Sequence, residues 1–555
     1  MKIKNIMESE RGRSSVIFAA FAAVFALAAI WVFWGAWSPD FAIVSPDDGD
    51  RLGSNWMERL AAVWNDFAEN GKFHPLAVIW DSLIASAWYL KELRYASALF
   101  LAALATAYFL RGRGLSRVAA YAGGLFLAFS GYWCTLYSAG HAGIFIWMSY
   151  GLFAFGLIDR AVSTGKLRYW LLLGVTEAWG CYSQPDIWLL FAFFAAMWYL
   201  FAALRAGFSK RIFLGTFAAA AAFALVGAPG VRHAFGSALA GRDEQIKEGQ
   251  TLSAAKQGEV SEEEKRWIFC TNWSLPPAET AEFFTPRLNG DTSCPLTLSI
   301  GTARGVGVKP YTGAIGRPLD AKEGNYRQHS VYLGRVTCLF ALFALISLFF
   351  KRDEKAPDRA VILFFAFTAL FFCLCSFGRY FTTFYSIIFA LPFGDSLRAP
   401  VKWLHLTEFS VAVLAGFGVE AALRVAGARK GLVAALAALV LFGVCDLAYN
   451  AHFYCAPIDM REARRANCSR QMTVLRRGDF SRPEVQRMVS EKRIVSQAHY
   501  IGNPDLYLVD VLTPRKASAP KFKAPAPLPF SLGVVSVLSA LLICAYASIR
   551  TCPST

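Results

Sequence analysis

Residues 45–50 read SPDDGD and set three carboxylates, Asp47, Asp48 and Asp50, within four positions. Carboxylates at that density suit three tasks. They cap a following helix, remove a proton as general base, or hold a hard divalent cation such as Mg²⁺ or Mn²⁺. The spacing is not that of a recognised metal loop. Other polar side chains stand at comparable junctions: His141 in YSAGHAGIF, Gln184 and Asp186 in YSQPDIWLL, Arg398 and Lys402 on either side of Pro400. Arg232, His233 and Arg335 bracket a long polar stretch. Acids, an imidazole and several cations brought to one surface suit a phosphate-bearing ligand and a proton transfer. Each also has a structural use. Asp186, after Pro185, fits an N-cap, and Arg398 and Lys402 could anchor a helix end by snorkelling.

What positions these residues is a series of apolar runs. The chain is 55% hydrophobic with a mean hydropathy of +0.38, too apolar for an ordinary soluble protein of 555 residues. Several runs approach or exceed the roughly 18 apolar residues that cross a bilayer. The first, 16–37, is longer than a signal-peptide core and WGAWSPD offers no small-x-small cleavage site, so it reads as a retained anchor. The formal net charge of +16 does not point to nucleic acid. The cations collect in short connectors such as RGRGLSR, RAGFSKR and RVAGARKG, where Lys and Arg mark the cytoplasmic side.

Alternating from a cytoplasmic N-terminus gives an all-α polytopic membrane protein of about twelve transmembrane helices, both termini inside. A first membrane module spans 1–231 and a second 330–450, with the last helix in 528–555. Two extracytoplasmic insertions separate them, 232–329 and 451–527, the second ending in a Pro/Ala/Lys linker. The stretch 377–400 is apolar but broken by Pro392, Gly394 and Pro400, as in an interfacial or partly inserted segment. Glu177, Glu408 and Asp446 fall inside apolar runs and need partners there; His405 stands one turn before Glu408. Twelve cysteines include no CxxC pair, and the outer segments suggest disulfides Cys270–Cys294 and Cys455–Cys468.

The acidic loop after the first helix, YSAGHAGIFIWMSYGLFAFGLIDRA, YSQPDIWLL, NWSLPPAETAEFFTP and LPFGDSLRAPVKWLHLTEFSVAVLAGFGVEAAL together resemble the bacterial YfhO-type membrane proteins of the GT-C glycosyltransferase superfamily. The Trp-Trp-Asp signature of its oligosaccharyltransferase branch is absent. The resemblance implies a GT-C-like fold in the bacterial inner membrane and an active site on the extracytoplasmic face. It implies a sugar donor linked to polyprenyl phosphate and a cell-envelope glycan or lipid as acceptor. An outer-loop carboxylate would be the base, with Asp48 first choice over Asp47 and Asp50. His141, Gln184, Asp186, Arg398, Lys402 and Arg335 would bind substrate. A protein that only binds or transports a lipid is the other reading of the same polar set.

The topology is checked by single-cysteine variants labelled in intact cells with a membrane-impermeant maleimide. Positions 48, 141, 186 and 398 should label and positions 113, 166 and 355 should not. Labelling at 166 with protection at 48 would invert the topology.

Overall fold

The structure, a computed structural model, describes residues 10–35, 41–42, 93–133, 142–183, 185–228, 230–231, 261–290, 313–315, 330–350, 358–391, 394–455, 458–459, 468–499, 506–514, 539–540 and 542–547. Each of the apolar runs contains helix. In the first half these are α1 Glu10–Val32, α2 Leu93–Gly112, α3 Arg117–Ala128, α4 Ala142–Gly151, α5 Phe153–Thr164, α6 Leu167–Ser183, α7 Pro185–Ala206 and α8 Lys210–Ala228. A short outer helix, α9 Glu262–Cys270, follows. The second half has α10 Arg335–Ile346, α11 Arg359–Ser376, α12 Thr382–Ala390, α13 Leu404–Ala426 and α14 Lys430–Tyr454, and then α15 Pro483–Ser490. Seven of the described helices are long and apolar enough to cross a membrane: α1, α2, α7, α8, α11, α13 and α14. The others are shorter, because the chain turns early (α3 stops at Ala128) or breaks, as between α4 and α5.

The expectation of an all-α chain is corrected in the second insertion. Residues 451–527 contain strands β3 Cys468–Arg476, β4 Ile494–His499 and β5 Leu506–Pro514, in an antiparallel sheet of order β3-β5-β4. The signal lay in LYLVDVLTP, rich in the β-branched and aromatic residues that fit a pleated surface. Val485 of α15 and Val509 and Val511 of β5 are buried there. A separate two-stranded pair joins β1 Phe41–Ala42 to β2 Ile458–Asp459.

The centre of the membrane part is α13, most of whose side chains are buried against α3, α10 and α11. Lipid tails are as apolar as leucine, so close packing holds such helices together, and small residues permit it. A Cβ on Gly418 would lie 1.8 Å from the Phe340 carbonyl oxygen, and one on Gly124 2.3 Å from that of Ala103. Beside these crossings an aromatic cluster fills the core. Phe194 meets Phe155 and Phe372 at 4.9 Å each, and Phe409 meets Phe155 at 4.7 Å. Such pairs add about 0.5–1.5 kcal/mol each beyond area burial.

The basic connectors gather at one end of the bundle. Arg113 after α2 pairs with Asp358, the N-cap of α11, at 3.1 Å and with Asp159 of α5 at 3.5 Å, while Arg205 of α7 also meets Asp358. Burial alone would raise the Asp358 carboxyl, but Arg205, Arg113 and the Ala360 N–H outweigh it and hold it below its ordinary value. Glu420 of α13 accepts from the Ser116 N–H at 2.8 Å and from Arg424 at 3.2 Å. Five connectors that the sequence assigns to the cytoplasmic side therefore share one end.

Gly418→Ala should lower stability by about 1–3 kcal/mol, because the backbone of α10 must move to admit the methyl group. Gly431→Ala, where nothing lies within 4 Å, should leave it unchanged or raise it. Thermal unfolding midpoints in one detergent check both.

Candidate functional site

The opposite end of the bundle is held by backbone hydrogen bonds that no helix supplies. Leu275 N–H donates to Ser376 O at 2.8 Å, Ala399 N–H to Cys270 O at 3.1 Å, and Val401 N–H to Trp273 O at 3.0 Å. Leu333 N–H donates to Phe283 O at 3.2 Å and Gly131 N–H to Tyr332 O at 2.7 Å. The described part of the first insertion, 261–290, is thus stitched onto the helix ends. Two acids from its PAETAEF stretch are buried in doing so. Glu279 accepts from the Ala314 N–H at 2.6 Å and Glu282 from the Asn289 N–H at 2.7 Å.

This stitching shapes the approach to Lys402. Ala399 has φ +62°, a left-handed conformation that a non-glycine residue rarely takes and that a following proline disfavours further. Such a residue costs on the order of 1–3 kcal/mol and persists only where its surroundings over-determine it. Here the Cys270 and Trp273 carbonyls do so, and Pro400 packs onto Gly378, where a Cβ would lie 2.1 Å from Ser274 Oγ. Past the kink, the 3-10 turn Pro400–Trp403 sends Lys402 to Asp186 at the start of α7, and the two form an ion pair. Two residues picked from the sequence, 216 positions apart, are therefore partners.

Close by lies a buried polar group. Glu408 Oε1 accepts from Ser130 Oγ at 2.7 Å and from the Tyr132 N–H at 3.1 Å, and its Oε2 stands 3.5 Å from His405 Nδ1. The His405 ring lies against Tyr132 and Trp133, at 4.4 and 4.6 Å between centroids. Tyr132 is within electrostatic reach of both Glu408 and Asp186, which links this group to the ion pair. Glu408 also ties α13 to the chain leaving α3, the stretch that leads towards His141.

The remaining candidates divide. The Arg398 guanidinium sits 4.6 Å from the Phe269 ring and 4.7 Å from that of Trp273, beside α9. Arg335 holds the insertion, its Nε donating to Phe284 O at 3.1 Å. Asp47, Asp48, Asp50, His141, Gln184, Arg232 and His233 lie outside the described residues. The start of the acidic loop is anchored, however. β1 pairs with β2 beyond α14, and the Trp31 ring lies tilted against that of His452, 4.7 Å between centroids.

Cysteine chemistry is corrected at two positions, and Cys455, expected to bond Cys468, is a buried residue outside any disulfide. Cys270, expected to bond Cys294, is a free thiol whose Sγ donates to Asp395 O at 2.6 Å. Burial, aided by the Asp395 charge, pushes its pKa up to about 12, so it is not a nucleophile at neutral pH. Cys294 and the Cys468 side chain are outside the described residues. Among the described residues no cluster of His, Cys, Asp and Glu is built to hold a metal ion. Neither the protein-family models nor the curated proteins compared with this chain match it.

Several site contacts had no clear signal in the sequence. Ser130 and Tyr132 read as ordinary helix-end residues until Glu408 faces them. Tyr332 donates to Asp446, whose backbone oxygen takes Asn450 Nδ2 at 2.7 Å, and Asn450 Oδ1 in turn accepts from Arg287 at 3.0 Å.

Asp186→Asn and Lys402→Gln should not be additive. The double variant should recover at least ~0.5 kcal/mol relative to the sum of the singles, since each single leaves a half-buried charge without its partner. A double-mutant cycle on denaturation in mild detergent measures this.

Proposed function

We propose that the chain is a membrane glycosyltransferase of the GT-C type. It moves a sugar from a polyprenyl-phosphate donor to an extracytoplasmic acceptor. The observation that carries this reading is the Asp186–Lys402 pair beside the strained Arg398-Ala399-Pro400 turn, at the same end of the bundle as the root of the acidic first loop. Cations at the end of the bundle where the acidic loop begins are what such a transfer needs. The acceptor hydroxyl oxygen forms a bond to the anomeric carbon as the bond from that carbon to the phosphate oxygen breaks. The hydroxyl proton passes to a loop carboxylate, Asp48 in this reading. Arg398 and Lys402 take the charge gathering on the departing lipid phosphate. A divalent cation held by the loop aspartates could share that task. Orientation supports the reading too, because the basic connectors collect at the far end and leave this end for the extracytoplasmic side.

The alternative, a transporter or lipid-binding protein, would use Glu177, Glu408 and Asp446 as proton or substrate sites. Each already accepts hydrogen bonds from its neighbours. Trp188 Nε1 meets Glu177 at 2.9 Å, Ser130 and Tyr132 meet Glu408, and Tyr332 and Asn450 meet Asp446. That pattern weighs towards structural roles.

Asp48→Asn should lower transfer of labelled sugar from a polyprenyl-phosphate donor by about 10²–10⁴-fold in nanodiscs, with folding unchanged. Only one of the three loop aspartates should be critical if it is the base; two severe losses partly rescued by Mn²⁺ would indicate a metal site. Arg398→Ala should instead raise the apparent donor KM. Full activity in the Asp47, Asp48 and Asp50 triple Asn variant would remove the enzyme reading.

A further inference from the structure

At the basic end of the bundle one guanidinium serves two carboxylates unequally. Arg113, just past α2, donates from Nη2 to Asp358 at 3.1 Å, a hydrogen-bonding distance. Its Nη1 stands 3.5 Å from Asp159 Oδ2. Asp358 also meets Arg205 of α7 and accepts from the Ala360 N–H, so it has two cations and a backbone donor. Asp159 of α5 is 7% exposed, and neither of its oxygens accepts a hydrogen bond of ordinary geometry from the described residues. The other groups around it do not make up the difference. Arg160, next in the chain, lies over the Tyr108 ring at 3.7 Å, and the Arg113 guanidinium lies over the Trp198 ring of α7 at 5.6 Å. Backbone fills the side towards α2, where a Cβ on Gly112 would lie 3.9 Å from Asp159 Oδ2 and 3.5 Å from Arg160 Nη1.

We propose that Arg113 and the two acids form a proton-sensitive latch, in which ionised Asp159 shares Arg113 with Asp358 and protonated Asp159 releases it to Asp358 alone. Ionised, Asp159 ties the end of α2 to α5. Neutral, it leaves Arg113 to tie the end of α2 to the start of α11, where Asp358 is the cap. The two acids titrate apart. For Asp159, burial outweighs Arg113, Trp198 and Arg160 and pushes the pKa up to about 6, whereas Asp358 stays below its ordinary value. Between about pH 5 and 7 only Asp159 then changes charge. Folding raises the Asp159 pKa, so its contribution to stability is fully present below the ordinary carboxylate range and is lost as pH rises through about 6. The latch uses no residue of the sugar-transfer reading and does not depend on it.

Dicyclohexylcarbodiimide, which modifies protonated carboxyls in membrane proteins, reads the state of Asp159 directly. The full chain in nanodiscs is treated at a series of pH values, and modification of Asp159 is measured by peptide mass spectrometry. It should rise about tenfold from pH 7 to pH 5 and level off below, with a midpoint near pH 6. Asp358→Asn keeps the helix cap, since Asn caps as well as Asp, and frees Arg113 for Asp159, so the midpoint should fall by about one pH unit. Arg113→Gln should raise it by a similar amount, and in that background Asp358→Asn should lose most of its effect. Arg160→Gln, which withdraws a charge turned to Tyr108, should raise the midpoint less. A profile with no midpoint between about pH 5 and 8 would overturn the proposal. So would a midpoint that Asp358→Asn leaves in place, or lowers equally without Arg113.

Discussion

The junction in which Cys270 and Trp273 lend their carbonyls to the N–H groups of Ala399 and Val401 is the constraint on which the outer end depends. Near hydrocarbon, a backbone amide without a partner costs several kcal/mol, so irregular chain survives there only when another segment satisfies it. Residues 270–275 do this for Ser376, Arg379, Ala399 and Val401. The same bonds hold Ala399 in a conformation it would leave if free, and that conformation turns Lys402 towards Asp186. Order at the polar end is thus a consequence of backbone bookkeeping between an insertion and a broken helix, rather than of either alone.

Charge does the complementary work at the other end. Arg113, Arg205, Asp159 and Asp358 come from four different connectors, yet they share contacts. In exposed solvent such pairs contribute little. Partly buried under helix ends they fix which connectors sit together. Among the described residues the opposite end carries Arg266, Arg287 and Arg335 as well as Arg398 and Lys402, each held by its own contacts.

Buried acids within the bundle follow one rule. Glu408, Glu177 and Asp446 each face donors from another element: a helix end, an indole or a phenol. Glu279 and Glu282 do the same in the insertion. An uncompensated carboxylate in such surroundings would neutralise or unfold its neighbours. Glu408, Asp446 and Glu279 fasten elements distant in sequence, and Glu177 and Glu282 fasten near neighbours.

Apolar run length and the Lys/Arg asymmetry of the connectors sufficed to reveal a helical membrane protein, since both follow from the cost of moving polar groups into hydrocarbon, residue by residue. The polar junctions were legible as well, because charged and kinked strings such as SLRAPVKW stand out against apolar sequence. Strands β3 to β5 were not read, although LYLVDVLTP carried their composition, because a short alternating run gains its meaning only from the strands beside it. Nor could sequence show that Lys402 meets Asp186, that Glu408 faces Ser130, or that Cys270 keeps its thiol. Those are contacts between positions far apart in the chain, and only packing around α13, with the backbone bonds at Ala399, brings them within reach.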